Sequence, residues 1–134
     1  MDLRSLAAVL ALNLAMTGCA SAAGSGATPP DDVWGAPGQA LTVKEGRGVL
    51  EESCSRVVFG PIGLDGSGHF SATGELEEFA PGPQQGDAAP VMVPVTVSGT
   101  VDGETMALSI AAKGAADREV TLRRGLRAKV FRCL

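Results

Sequence analysis

Three thiols and one imidazole are the most reactive side chains in this 134-residue chain: Cys19, Cys54, Cys133 and His69. A thiol can be acylated, oxidised to a disulfide or buried as a small apolar group. Cys19 follows an apolar run and stands beside Gly18 in "LNLAMTGCAS". His69 has no neighbouring cysteine or carboxylate cluster at ligand spacing, so it does not make a zinc site. "LDGSGHF" has the look of a calcium loop, but an EF-hand needs Gly where Phe70 stands and Glu where Leu76 stands. Asp65 to Gly68 therefore reads as a hairpin turn, and His69 as a surface residue at a strand end. A Ser-His-Asp arrangement could be assembled on paper from any chain with one His. No G-x-S-x-G elbow, P-loop or dinucleotide fingerprint accompanies it. Glu75, Glu77 and Glu78 in "GELEEF" place two carboxylates on one strand face, which reads as a solvated edge. The expectation is a non-enzymatic protein with no catalytic residue, no metal site and no cofactor.

The residues before Cys19 say what its thiol is for. Leu6 to Met16 is apolar except for Asn13, with Arg4 ahead of it. A spanning helix needs roughly 20 apolar residues, so this run is too short to be a permanent anchor and has the layout of a secretory h-region. Met16-Thr17-Gly18-Cys19 resembles the bacterial lipobox, where small residues precede an obligatory cysteine. That family usually has Leu where Met16 stands. The resemblance implies cleavage before Cys19 and a diacylglycerol on its thiol. One acyl chain holds a protein to a membrane only marginally, at about 10⁴ per molar, and two or more hold it firmly. The alternatives are a plain signal peptide with a chance cysteine, or a buried thiol. Ala20 stands where an Asp would signal inner-membrane retention, so the lipobox resemblance points to the outer membrane if the cell has two. The expected organisation is a cleaved lipoprotein signal at 1–18, a flexible tether at 19–38 and a β-domain at 39–134. The tether is rich in Gly, Ser, Ala and Pro and lacks apolar periodicity. Trp34 within it reads as the start of the folded domain, plugging one end of the core.

From Gln39 onward the apolar period is two. Val93, Val95, Val97 and Val101 alternate with Pro94, Thr96, Ser98 and Thr100. Asp102-Gly103 is a favoured two-residue hairpin turn, which would set Val101 opposite Glu104, Gly99 opposite Met106, Val97 opposite Leu108 and Val95 opposite Ile110. "ALTV", "VLEESC", "RVVFGPIGL", "HFSATGELEEF", "EVTLRR" and "AKVFRC" read as further strands, and "PGPQQGDAAP" as a loop. The fold class is all-β: about eight short antiparallel strands in a meander, closed as a small lipocalin-like barrel or folded as a sandwich. The medium-sized inward residues Val95, Val97, Leu108 and Ile110 suggest a filled interior.

With Cys19 exported and acylated, Cys54 and Cys133 remain as a pair in an oxidising compartment. Read as ending the second and eighth strands, they would meet at one rim of an up-and-down barrel. A bridge closing a loop of about 80 residues would be worth roughly 4 to 5 kcal/mol in the chain-entropy model. Two free thiols are the alternative.

The formal net charge of -4 gives no reason to expect nucleic-acid binding. It hides an asymmetry. Arg118 to Leu134 holds six basic residues and one acid, whereas Cys19 to Asp117 holds four basic residues and thirteen acids. One reading pairs Glu75 and Glu77 with Arg123, Arg127 and Lys129 across neighbouring strands. The other docks the basic residues on anionic lipid or an envelope polymer.

The segments "VWG", "LTV", "GVLEESC", "GPIGLDGSGHF", "VSGTVDGETMALSI" and "RCL" together resemble an uncharacterised group of small exported bacterial domains, over most of Val33 to Leu134. Those segments are turns, core positions and the cysteine pair, so the resemblance implies a fold and brings no activity. The expected function is that of a membrane-anchored envelope lipoprotein with a non-catalytic binding or structural β-domain. A carrier of small apolar ligands is the second reading. The expected partners are the membrane, through lipid on Cys19, and an envelope protein, polymer or small ligand. The domain is expected to be a monomer.

Overall fold

A computed structural model describes residues 26–79, 86 and 91–131. All regular structure among them is β. The strands are β1 (Asp32–Ala36), β2 (Gln39–Lys44), β3 (Arg47–Glu51), β4 (Ser55–Phe59), β5 (His69–Glu78), β6 (Val91–Asp102), β7 (Thr105–Ala112) and β8 (Arg118–Arg124). Each pairs antiparallel with the next, and β8 returns to β1 through Trp34↔Arg124 and Gly35↔Arg123, closing an eight-stranded barrel. The seam is short: these two pairs lie at the end of β8, and only there do β1 and β8 cover each other's edge.

The period-two pattern decides what fills the barrel. Leu41, Val43, Leu50, Val57, Phe59, Phe70, Ala72, Val95, Val97, Met106, Leu108, Ile110, Val120 and Leu122 all point inward and are buried. No polar or charged residue is buried among the described residues. Two large rings fit because glycine stands beside them. A Cβ on Gly48 would lie 2.7 Å from Phe59 ring carbons, and one on Gly99 would lie 2.6 Å from those of Phe70. The two rings stack with centroids 6.3 Å apart. Pairing large residues with small ones across strands is how a small barrel reaches interior density.

Four strand assignments differ from the sequence expectation, among them "VLEESC", whose strand stops at Glu51 short of Cys54. The first strand is not "ALTV" but Asp32–Ala36, inside the segment read as tether. Pro37-Gly38 turns it into β2, with Gly38 at φ 74°, the Pro-then-Gly chemistry of a type II turn. The fourth strand stops at Phe59, because Pro61 has no N–H to give a ladder. "AKVFRC" is not the closing strand: β8 ends at Arg124, and Gly125 at φ 74° turns the chain out of the sheet. The count of eight survives because β1 replaces the expected last strand.

The β6–β7 hairpin keeps its expected faces but shifts in register by two residues. Val101 lies opposite Met106, Gly99 opposite Leu108 and Val97 opposite Ile110. The turn residues are Gly103 and Glu104, with Gly103 at φ 58°, as in a type II′ turn. A two-residue shift preserves parity, so the apolar face stays inside.

The barrel has two unlike ends. At the entry end lie the β2–β3, β4–β5 and β6–β7 connections, the start of β1 and the exit of β8. At the far end lie the β1–β2, β3–β4, β5–β6 and β7–β8 connections.

Candidate functional site

Residues 26–31 do not dangle from the entry end. Ala27 and Leu64 exchange two backbone hydrogen bonds of 2.8 and 2.9 Å. The Glu45 N–H donates to the Asp31 carboxylate at 2.7 Å, holding Glu45 at φ 51° in the β2–β3 turn. The Ile62 N–H donates to the Gly46 carbonyl at 2.7 Å, which fixes the β4–β5 loop and buries Ile62 under the barrel floor. Together these segments cap the entry end.

Beneath the cap is a cavity of about 30 Å³, lined mainly by Trp34, Val43, Ile62, Phe70, Met106 and Arg124. A drug-sized ligand needs roughly 300 to 1,000 Å³, whereas one water needs about 10 to 15 Å³. Arg124 follows Val120 and Leu122 on the inward parity of β8, so its stem enters the barrel. Its guanidinium lies 4.7 Å from the centroid of the Trp34 ring and 3.4 Å from the Asp32 carboxylate. Arg124 Nε is buried with no hydrogen-bond partner. Cation–π contact and the neighbouring carboxylate offset part of its desolvation.

Beyond β8 the chain turns back across the outside of the barrel. The Gly125 N–H donates to the Val33 carbonyl at 2.7 Å. A Cβ on Gly35 would meet the Leu126 backbone carbonyl and lie 3.3 Å from the Ala128 nitrogen. The tail thus lies directly on β1, where only glycine leaves room. Arg123, Leu126, Arg127, Lys129 and Phe131 are exposed, Leu126 by 44% and Phe131 by 74%. No acidic residue occurs from Val120 to Phe131.

At the far end a carboxylate gathers donors from distant parts of the chain. Arg118 Nη1 donates to Glu52 Oε1 at 2.7 Å, Gln39 Nε2 to Glu52 Oε2 at 3.0 Å and Ser55 Oγ to Glu52 Oε1 at 3.3 Å. Burial alone would raise the Glu52 pKa, but the Arg118, Gln39 and Ser55 hydrogen bonds and the Arg118 charge outweigh it and lower it. Phe79, Val91 and Met92 are exposed near this end.

The residues singled out from the sequence distribute as follows. Cys19 and Cys133 lie outside the described residues. Cys54 sits in the β3–β4 turn rather than at a strand end, is disulfide-bonded, and its carbonyl accepts the Phe79 N–H at 3.0 Å. His69 is exposed, opposite Thr100 on β6, with Nδ1 3.9 Å from Asp65 Oδ1. The Asp65 carboxylate accepts the Ser67 and His69 N–H groups at 2.8 and 3.0 Å, and those backbone bonds lower its pKa. The loop is therefore a closed turn of the expected kind, its carboxylate engaged by its own backbone. Glu75 faces Val58 and Pro94, while Glu77 faces Arg56 and Met92. β8 pairs with β7 and β1 and never with β5. The expected pairing of Glu75 and Glu77 with the closing basic residues is thereby overturned.

Two features escaped the sequence reading. Arg124 was legible in principle, since it continues the Val120, Leu122 parity. The back-folded tail had only Gly125 and Gly35 as signals, and neither names its partner. Comparison with protein-family models, curated proteins and solved structures returned no match.

Proposed function

We propose that this chain is a membrane-anchored envelope lipoprotein whose barrel is a non-catalytic domain that recognises a macromolecule, or holds one in place, through its outer surface. The observation that carries the second half is the filled interior. The cavity beneath the cap, about 30 Å³, is too small for an apolar cargo, which weighs against the carrier reading. The observation that supports the first half is the lipobox-like "MTGC" before Cys19. The chain joins the fold by Ala27, through its bridge to Leu64. About eight residues from Cys19, each reaching at most about 3.4 Å, would hold the entry end within roughly 27 Å of a lipid headgroup.

Two measurements test this. Intact mass of the protein extracted from its own membranes without reductant is expected to begin at Cys19 and carry acyl chains. A mass beginning elsewhere and lacking lipid would refute the anchor. An apolar fluorescent probe is expected to leave the protein unstained. Saturable staining at one site would restore the carrier.

A further inference from the structure

We infer that the C-terminal tail and the β8 edge beside it form a second membrane contact, which lays the barrel on an anionic lipid surface. The inference rests on the anchored reading and assigns that reading an orientation. Three observations carry it.

The first is charge. Arg123, Arg127 and Lys129 form an exposed strip with no acid between Val120 and Phe131 in the chain, and the acids beside it in the barrel are Glu119 on β8 and Glu104 before β7. β5, elsewhere on the barrel wall, carries Glu75, Glu77 and Glu78. A molecule with this asymmetry turns its basic side toward an anionic surface.

The second is apolar exposure within the strip. Leu126 and Phe131 flank the basic residues and stand 44% and 74% exposed. Basic residues interleaved with exposed Leu and Phe suit the headgroup boundary, where the cations meet phosphates and the apolar groups enter the acyl region. A soluble polyanion would use the cations alone.

The third is position. β8 leaves the barrel at the same end where residues 26–31 join it. The Gly125 N–H bonds the Val33 carbonyl, only a few residues from Ala27 along the chain. A lipid on Cys19 would therefore bring the start of this strip to the bilayer, and because the tail then follows β1 along the wall, contact along the strip lays the barrel on its side. Gly35 keeps the strip in place by admitting the tail backbone against β1.

The test uses the full chain carrying Cys19→Ser, which cannot be acylated, and co-sedimentation with vesicles. All variants share the same N-terminal segment, so its own membrane affinity cancels in comparison. Vesicles containing phosphatidylglycerol are expected to bind the protein more tightly than pure phosphatidylcholine, and less so as salt rises. Arg127→Gln with Lys129→Gln is expected to weaken binding to the anionic vesicles by about 25-fold, or about five-fold per basic residue. Both lie outside the strands, so the fold should be kept, and circular dichroism checks this. Arg56→Gln with Lys113→Gln removes the same charge elsewhere and should change binding little. Equal loss in the two pairs, or equal binding to the two vesicles, overturns the inference. Leu126→Ser with Phe131→Ser should also weaken binding. If it does not, the strip is an electrostatic site for a soluble polyanion, and the membrane contact is wrong. The anchor itself is judged by the native mass, so either claim can fail alone.

Discussion

The two ends of the barrel are held by different physics. The entry end is capped by shape: Trp34, Ile62 and Phe70 fill it, and residues 26–31 lie across it. Its one charge within the floor, Arg124, rests against the Trp34 ring. The far end is tied by polar and covalent links: Glu52 joins Gln39, Ser55 and Arg118, and Cys54 is disulfide-bonded. Packing is insensitive to pH and redox state, whereas charge pairs and disulfides respond to both. The packed floor of the entry end should therefore yield mainly to mutation, and the Glu52 and Cys54 links of the far end to a change of conditions as well.

The largest effect should come from removing the shape. Trp34→Ala deletes the main lining of the entry end and leaves Arg124 over a void. A cost of about 3 to 5 kcal/mol is expected from denaturant melts at neutral pH. A cost below about 1 kcal/mol would mean that the cap, not the ring, closes this end. A comparable or slightly smaller effect should come from the covalent link. Cys54→Ser is expected to cost about 2 to 5 kcal/mol under oxidising conditions and almost nothing under reducing ones. If Cys133 is the partner, Cys133→Ser should cost the same, and the double variant no more than either single. Additive costs would refute that pairing.

The smallest effect should be the most specific to conditions. The folded-state pKa of Glu52 is lowered, so its contribution is fully present above its unfolded value of about 4.5. It should be lost as pH falls through the lower folded value. Because Arg118 is partly exposed, the pair is worth on the order of 1 kcal/mol at most. Melting temperatures of wild type and Glu52→Gln should therefore differ at pH 7 and converge toward pH 3. A gap independent of pH would show that Glu52 acts through packing or hydrogen bonds rather than charge.

The ends also differ in how far the chain alone revealed them. The turn at Asp65 could be read directly, because its Asx-type bonds join Asp65 to residues only two and four positions on. The Glu52 network could not, because Gln39, Glu52 and Arg118 are far apart in the chain and meet only when the barrel closes. The hairpin of β6 and β7 lies between these cases. Alternating valines settle which side chains face inward, since parity is a property of the strand itself. They do not settle register, since a shift of two leaves every face unchanged. The choice of Gly103-Glu104 over Asp102-Gly103 as turn residues decided it.

The sequence by itself determined the all-β class and the period-two core, because each follows from local alternation and turn chemistry, whereas the strand count agrees only because β1 replaces the expected last strand. It also placed a lipobox-like cysteine after an apolar run, a purely linear pattern. Only the tertiary structure decided which eight segments were strands. Asp32–Ala36 lies in a Gly-, Ser-, Ala- and Pro-rich stretch without apolar alternation and so does not declare itself, and it becomes a strand because β2 and β8 both need an edge to pair. Tertiary structure likewise separated Glu75 and Glu77 from the basic tail and laid that tail on Gly35. Long-range neighbours are set by closure of the sheet, and closure is a property of the whole chain that no window of residues contains.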